Sequence, residues 1–336
     1  MFNPRPIATA LVRSAGLGQT VTHMTLWGHS TNQVWLVEVD RGAAEAALAL
    51  HDRAGDEYDR CAKERFLHNL VRRPGIPAPR VLATDDQGLF SVRLLERLPG
   101  VRADDALRDG PPEERAQIWR VVGATMRRIH QVRLPGWVAG EIVGDRVVPF
   151  VGTSADSNVN TLTWGHYILD DLPQELASLA QELGLPAVDT HRVTPMVDVA
   201  RRHLDALVPV LMHNDPRLAN ILVDRRDGRW QCTGWLDWEF ARVGEPSFDL
   251  ARLDLARSPS EPAVPAAFWA GYGDPPDPLN LAVSRLAVAL WFGRAGGCSD
   301  EPDRYAPART YLKELHRHLD DLEQLCAGAR QNLPVG

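Results

Sequence analysis

The period of the apolar residues changes once along this chain, near Gly100, and that change limits the fold more than any other feature. Before it, Thr20 to Trp27, Gln33 to Val39, Arg80 to Ala83 and Leu89 to Leu95 are short runs with β-branched or aromatic content, bounded by turn signals such as Gly28-His29-Ser30-Thr31-Asn32. A run from Ala46 to His51 is placed as a third strand mainly by position, because its Ala and Leu content is not strand-specific. Strands joined by tight turns predict an antiparallel meander. One helix over the charged segment Asp56 to Val71 interrupts it, ended by the proline-rich run Pro74 to Pro79. After Gly100 the spacing is helical: Pro111-Pro112-Glu113-Glu114 suits a helix start, and Ile118, Val122, Met126 and Ile129 form a stripe. Further amphipathic stretches cover Thr161 to Leu183, Val197 to Val208, Leu279 to Phe292 and Tyr311 to Cys326, and Leu134 to Asn160 reads as an irregular connection or small hairpin. The expected class is α+β, with a β-rich lobe over residues 1–97, a hinge at Glu96 to Gly100 and a larger helical lobe over residues 98–336.

Composition narrows the function. With 336 residues, 44% of them hydrophobic, the chain can bury a core, and its net charge of −7 lacks the basic stripe that a nucleic-acid partner requires. Cys61, Cys232, Cys298 and Cys326 form no CxxC pair, so no zinc knuckle or disulfide framework is signalled. No stretch is apolar enough to span a bilayer and the first residues lack a leader pattern, so the expected location is the cytoplasm, with no membrane partner.

The chemistry is concentrated between Leu211 and Phe240. In Leu211-Met-His-Asn-Asp-Pro-Arg-Leu-Ala-Asn-Ile-Leu-Val-Asp224 and Trp235-Leu-Asp-Trp-Glu-Phe240, apolar runs flank each polar cluster, which predicts two short strands joined by a turn at Arg225 to Gly228. Such a pair carries Asp215, Asn220 and Asp237 on one rim. Asn220 and Asp237 are hard oxygen ligands suited to Mg2+, and Asp215 remains free to orient a hydroxyl and accept its proton, which is the equipment of phosphoryl transfer.

His213-x-Asp215-x4-Asn220 followed by Asp237 resembles the catalytic loop and metal-binding Asp of the protein-kinase-like fold. With Leu236-Asp-Trp-Glu239 and Gly244-Glu-Pro-Ser-Phe-Asp249 it is similar to the aminoglycoside phosphotransferase and choline kinase branch, over roughly Gly16 to Leu255. The resemblance implies a two-lobed, ATP- or GTP-dependent kinase of a small-molecule hydroxyl, with an antibiotic as first choice and a choline- or sugar-type metabolite as second. It implies Asp215 as catalytic base, Asn220 and Asp237 as Mg2+ ligands, and His213 as a structural brace. Nucleotide contacts are implied at Gly28, Ser30, Thr31 and Asn32 in the phosphate loop, at Glu64 on the first helix, and at Glu96 and Leu98 in the hinge. Glu239 and Asp249 are expected to support the metal loop.

The chain departs from the family pattern at one place. A strand-3 lysine contacts the nucleotide phosphates in these kinases, whereas the only lysines here are Lys63 and Lys313, and the strand-3 slot falls on Ala49 or His51. Arg217, two residues past Asp215, is the expected compensating cation, with His51 or Arg53 as a second. The missing lysine also admits a nucleotide-binding scaffold without turnover.

Overall fold

The computed structural model describes residues 3–29, 32–40, 45–52, 60–85, 90–151, 161–257, 263–297 and 306–332. Arg5–Ser14 form a helix, α1, that a strand-dominated reading of the first hundred residues does not contain. Pro6 sits in its first turn, where no amide hydrogen is needed, and Ala8, Leu11 and Val12 make a buried stripe one turn apart.

The strands then follow: β1 (Val21–His29), β2 (Asn32–Val39), β3 (Glu45–Asp52), helix α2 (Arg60–Arg72), β4 (Val81–Asp85) and β5 (Phe90–Glu96). They form one antiparallel sheet in the order β1-β2-β3-β5-β4. Alternation along each strand divides the sheet into two faces. Val37, Leu48, Leu50, Val92 and Leu94 pack beneath α1 on one face. Val34, Leu36, Ala47, Ala49, Arg93 and Leu95 turn to the other, which roofs a cleft. The small side chains of β3 that made its strand assignment weak are the ones that leave the cleft open.

The chain continues through β6 (Val101–Arg102), α3 (Ala103–Asp109), α4 (Pro112–Ile129), β7 (Gly140–Val143), β8 (Arg146–Pro149), α5 (Trp164–Leu169), α6 (Leu172–Glu182), α7 (Thr190–Asp205), β9 (Val210–Met212), β10 (Ile221–Arg226), β11 (Arg229–Trp235), β12 (Arg242–Gly244), α8 (Ser247–Leu255), α9 (Ala266–Tyr272), α10 (Pro278–Gly297), α11 (Ala306–Lys313) and α12 (Leu315–Asn332). The stripe Ile118, Val122, Met126 and Ile129 of α4 is fully buried against Phe268 and Trp235. The stretch Thr161 to Leu183 is two helices, because Pro173 starts a new first turn just past Asp170 and Asp171. Likewise Tyr311 to Cys326 divides between α11 and α12 at Glu314. The segment from Leu134 contains the hairpin β7–β8, and its residues 152–160 lie outside the described residues.

Two turns set up the site. Asp227 and Gly228 both have positive φ, 51° and 74°, which gives the two-residue hairpin that pairs β10 with β11. At the hinge Gly100 has φ 110°, and any Cβ there would run into the Val223 carbonyl where β6 pairs with β10. The connection from the five-stranded sheet to the helices therefore enters pressed against the strand that follows Asn220. Among the described residues, no helix is long and apolar enough to cross a membrane.

Candidate active site

The loop between β9 and β10 carries His213, Asn214, Asp215, Arg217 and Asn220. Asn214 adopts a left-handed conformation, φ 59°, which its short polar side chain tolerates. The resulting turn points two successive amides at one carboxylate: the N–H of His213 donates to Asp249 Oδ2 and that of Asn214 to Asp249 Oδ1, both at 2.7 Å. Asp249 is fully buried on α8 and is also bonded to His130 Nε2 at 3.1 Å, while His130 Nδ1 meets the Tyr272 hydroxyl at 2.8 Å. Burial alone would raise the Asp249 carboxyl, but the hydrogen bond and charge of His130 and the nearby His213 outweigh it and hold the group below its ordinary value. Asp249 thus clamps the catalytic loop, and the expectation that it supports the metal loop is corrected by these contacts.

His213 joins the two loops. Its Nδ1 accepts the Asp215 N–H at 3.3 Å and its Nε2 donates to the Leu236 carbonyl at 2.9 Å, while the rings of Trp235 and Trp238 enclose it. Burial depresses its pKa against the pull of Asp249 and Asp215, so the ring stays neutral and fixed by hydrogen bonds.

Asp215 is held from both sides. Asn220 Nδ2 donates to its Oδ2 at 2.8 Å and to its carbonyl at 3.0 Å, and Arg252 Nη2 donates to its Oδ1 at 3.2 Å. Arg252 also reaches Asn214 Oδ1 at 3.3 Å and lies 4.9 Å from the Phe292 ring centroid. One turn of α8 separates it from Asp249, so the same helix secures the loop backbone and aims the loop carboxylate. Sequence reasoning missed Arg252, although the spacing Asp249-x-x-Arg252 was its signal. Arg217 Nε lies 3.8 Å from Asp215 Oδ2, beyond hydrogen-bonding distance, and has no hydrogen-bond partner among the described residues.

Asp237 follows β11 in a left-handed turn, φ 63° and ψ 60°. The Leu236 N–H donates to the Asn220 carbonyl at 2.8 Å, which ties the two loops beside each other. Lys63 Nζ donates to the Glu239 carbonyl at 2.6 Å, and burial pulls that lysine down to about 8. The lysine nearest the site therefore braces the metal loop. Burial and the neighbouring carboxylates of Glu239, Asp215 and Glu64 push Asp237 up to about 8. A concentration of negative charge of this kind fits a hard divalent cation. Asn220 spends its Nδ2 on Asp215, so its carboxamide oxygen could serve a metal ion together with Asp237, which lines the same cleft. Among the described residues no group of three His, Cys, Asp or Glu side chains could hold a metal ion, so an ion held by Asp237 and Asn220 would take one carboxylate and one carboxamide from the protein. Mg2+ suits such a sparse set, because it keeps waters and takes its remaining ligands from phosphates.

These groups face a cleft of about 300 Å³ between the inner face of the sheet and the loops below it. Val34, Leu36, Ala47, Leu95, Leu222 and Leu236 make an apolar portion, and Glu64, Arg93, Arg217, Asn220 and Asp237 make a polar one. Leu98 lines the cleft. Glu96 lines it too, but its carboxylate is engaged by Arg72 at 3.3 Å and Arg80 at 3.2 Å, and its N–H by the Arg80 carbonyl. These ion pairs hold the Glu96 side chain as part of the hinge. Ser30, Thr31 and Arg53 lie outside the described residues, as do the side chains of Gly28, Asn32 and His51; the backbones of Asn32 and His51 pair across β2 and β3. Glu64 meets a cation that sequence reasoning did not single out, Arg93 Nη1 of β5, at 2.6 Å.

The assembled geometry has counterparts among known proteins. Residues 24–283 match the sequence model of the phosphotransferase enzyme family. No curated protein matches the chain in sequence. Among solved structures, a spectinomycin phosphotransferase bound to ADP and spectinomycin is similar at TM-score 0.52 and 12% identity, covering 97% of this chain and 98% of its own. A streptomycin–ATP ternary complex of an aminoglycoside phosphotransferase has TM-score 0.54 and 14% identity, covering 93% and 97%. The Plasmodium vivax ethanolamine kinase has TM-score 0.54 and 14% identity, covering 98% and 88%. The fold is the two-lobed kinase-like one.

Proposed function

Because the chain belongs to the phosphotransferase enzyme family, we propose that it transfers the terminal phosphoryl group of ATP or GTP to a hydroxyl of a hydroxylated small molecule. The observation that carries this reading is the meeting of Asp215, Asn220 and Asp237 where two loops are tied together at a cleft of about 300 Å³, a volume suited to a small ligand. Residues 1–97 serve as the nucleotide-binding lobe and residues 98–336 as the catalytic and acceptor-binding lobe. The apolar portion of the cleft suits a purine, with the hinge at Leu98 along its edge, and the polar portion suits the phosphates. The loop at Gly28, Ser30, Thr31 and Asn32 is assigned to the same phosphates through its backbone amides.

In the reaction the acceptor oxygen bonds to the terminal phosphorus, its proton passes to Asp215, and the bond to the bridging oxygen breaks to release the nucleoside diphosphate. Asn220 and Asp237 would hold Mg2+, which when bound would neutralise phosphate charge. Arg252 and Asn220 keep the Asp215 carboxylate in one orientation, so the chain contributes mainly positioning and fixed charge. Arg217 lines the cleft with an Nε that has no hydrogen-bond partner among the described residues, and it is assigned to the oxygens of the transferring group.

An antibiotic-type acceptor, aminoglycoside- or nucleoside-like, is the first reading, and a metabolite alcohol such as choline or a sugar is the second. The test is release of nucleoside diphosphate over a panel holding both classes, with Mg2+ and either ATP or GTP. Acceptor-dependent release with matching phosphorylated product supports the reading. Phosphate release from simple esters without nucleotide would replace it with a phosphohydrolase.

A further inference from the structure

The chain lacks a lysine in β3, yet its cleft does not lack a cation above the metal loop. Ala49 of β3 stands directly opposite Arg93 of β5 in the antiparallel register, so the two side chains share a face roughly 5 Å apart at their Cβ atoms. Ala49 presents a small side chain on that face, and both Ala49 and Arg93 line the cleft. The Arg93 side chain is 2% exposed and its Nη1 donates to Glu64 Oε1 at 2.6 Å, with Glu64 only 6% exposed. A guanidinium carries five N–H donors, and Arg93 Nε is buried with no partner among the described residues. A buried ion pair with an unsatisfied donor is a poor stabilising device compared with apolar packing. The same side chain lines the cleft together with Glu64, Asn220 and Asp237. The lysine nearest the site, Lys63, is turned to the Glu239 carbonyl.

We infer that Arg93 binds the phosphates of the nucleotide, so that the phosphate-binding cation of this chain stands on β5 with its glutamate partner Glu64 unchanged. The inference rests on the nucleotide-dependent reading above. The planar fork allows Nη1 to keep Glu64 while other donors meet phosphate oxygens, which a lysine at the same place could do at a single point only. Together with Arg217 it puts two guanidinium groups on the cleft, one from the sheet and one from the loop below.

The experiment compares affinity for the Mg-nucleotide that the wild type binds with affinity for its nucleoside, which has no phosphates. Arg93→Met is expected to weaken the Mg-nucleotide by about thirtyfold or more and to leave the nucleoside within about twofold. Moving the cation to β3, as Ala49→Lys with Arg93→Met, is expected to recover most of the loss. If the methionine variants do not fold, Arg93→Lys keeps the charge beside Glu64 and is expected to weaken the Mg-nucleotide by about tenfold without touching the nucleoside. Equal losses for nucleotide and nucleoside, or unchanged nucleotide affinity in a folded variant, would overturn the inference and leave the phosphotransferase reading standing. A wild type that binds neither ATP nor GTP would overturn both.

Discussion

Asp215→Ala is expected to lower turnover by at least about a hundredfold while Mg-nucleotide affinity stays within about twofold. The split follows from where the carboxylate points. Asp215 is fastened by Asn220 Nδ2 and Arg252 Nη2, and it is not among the side chains that line the cleft assigned to the nucleotide. In the proposed reaction its removal takes away the group that would orient the acceptor hydroxyl and receive its proton, without removing a side chain that lines the cleft. Asn220 keeps its bond to the main-chain carbonyl of residue 215 at 3.0 Å in the variant, so its own position is retained. Steady-state kinetics with saturating nucleotide checks the rate, and titration of the same preparation checks affinity. An unchanged rate would remove Asp215 from the reaction, and an equal fall in rate and affinity would make it a structural group.

The second large effect is on folding. Asp249→Ala strips the partners from the His213 and Asn214 amides and from His130 in one step, at a position that is 0% exposed. Breaking a buried charged network by removing one partner costs roughly 3–5 kcal/mol, so the melting temperature should fall by about 4–7 °C and the loop that carries Asp215 should lose its turn. The sign of the pH dependence follows from the depressed carboxyl. A carboxylate held below its unfolded value contributes stability that is present above about pH 4 and lost as the pH falls through the folded value. The gap in stability between the wild type and Asp249→Ala, followed by thermal melts from pH 7 to pH 3, should therefore narrow on the acid side. A gap that is absent at pH 7, or that widens on acidification, would contradict the clamp.

Much of this arrangement is legible in the sequence, and the exceptions have physical reasons. Turn residues and alternation mark the strands because each tight turn has its own chemistry, and the Asp227-Gly228 hairpin is an instance. The strand β3 is the weakest reading because Ala47 and Ala49 face a cavity, and strand propensity measures packing against neighbours that are absent there. α1 escapes because Ala8, Leu11 and Val12 are too few to show a period unless the sheet they cover is known. The helix break past Asp170 was signalled by Pro173 but overridden by continuous amphipathicity on both sides.

At the site, the residues close in sequence are the readable ones. His213, Asp215, Asn220 and Asp237 occupy two short loops with recognisable spacing, and the structure ties those loops together through His213 and the Asn220 carbonyl. The expectation for Asp249 went to the wrong loop because spacing alone cannot tell which backbone a buried carboxylate reaches. Arg93 was passed over because a single charge in the apolar run Phe90 to Leu95 looks like an edge residue until the register sets it opposite Ala49. Pairing between strands distant in sequence is the information that local pattern does not hold.

The central claim is a Mg-nucleotide site built on Asp237 and Asn220, and the most direct test is isothermal titration of Mg-ATP and Mg-GTP into the wild type and into Asp237→Ala. The account predicts saturable binding of at least one nucleotide by the wild type and a loss of about tenfold or more in the variant, with the difference disappearing when Mg2+ is chelated. Absence of binding by either nucleotide, or equal binding by the two proteins in the presence of Mg2+, would contradict it.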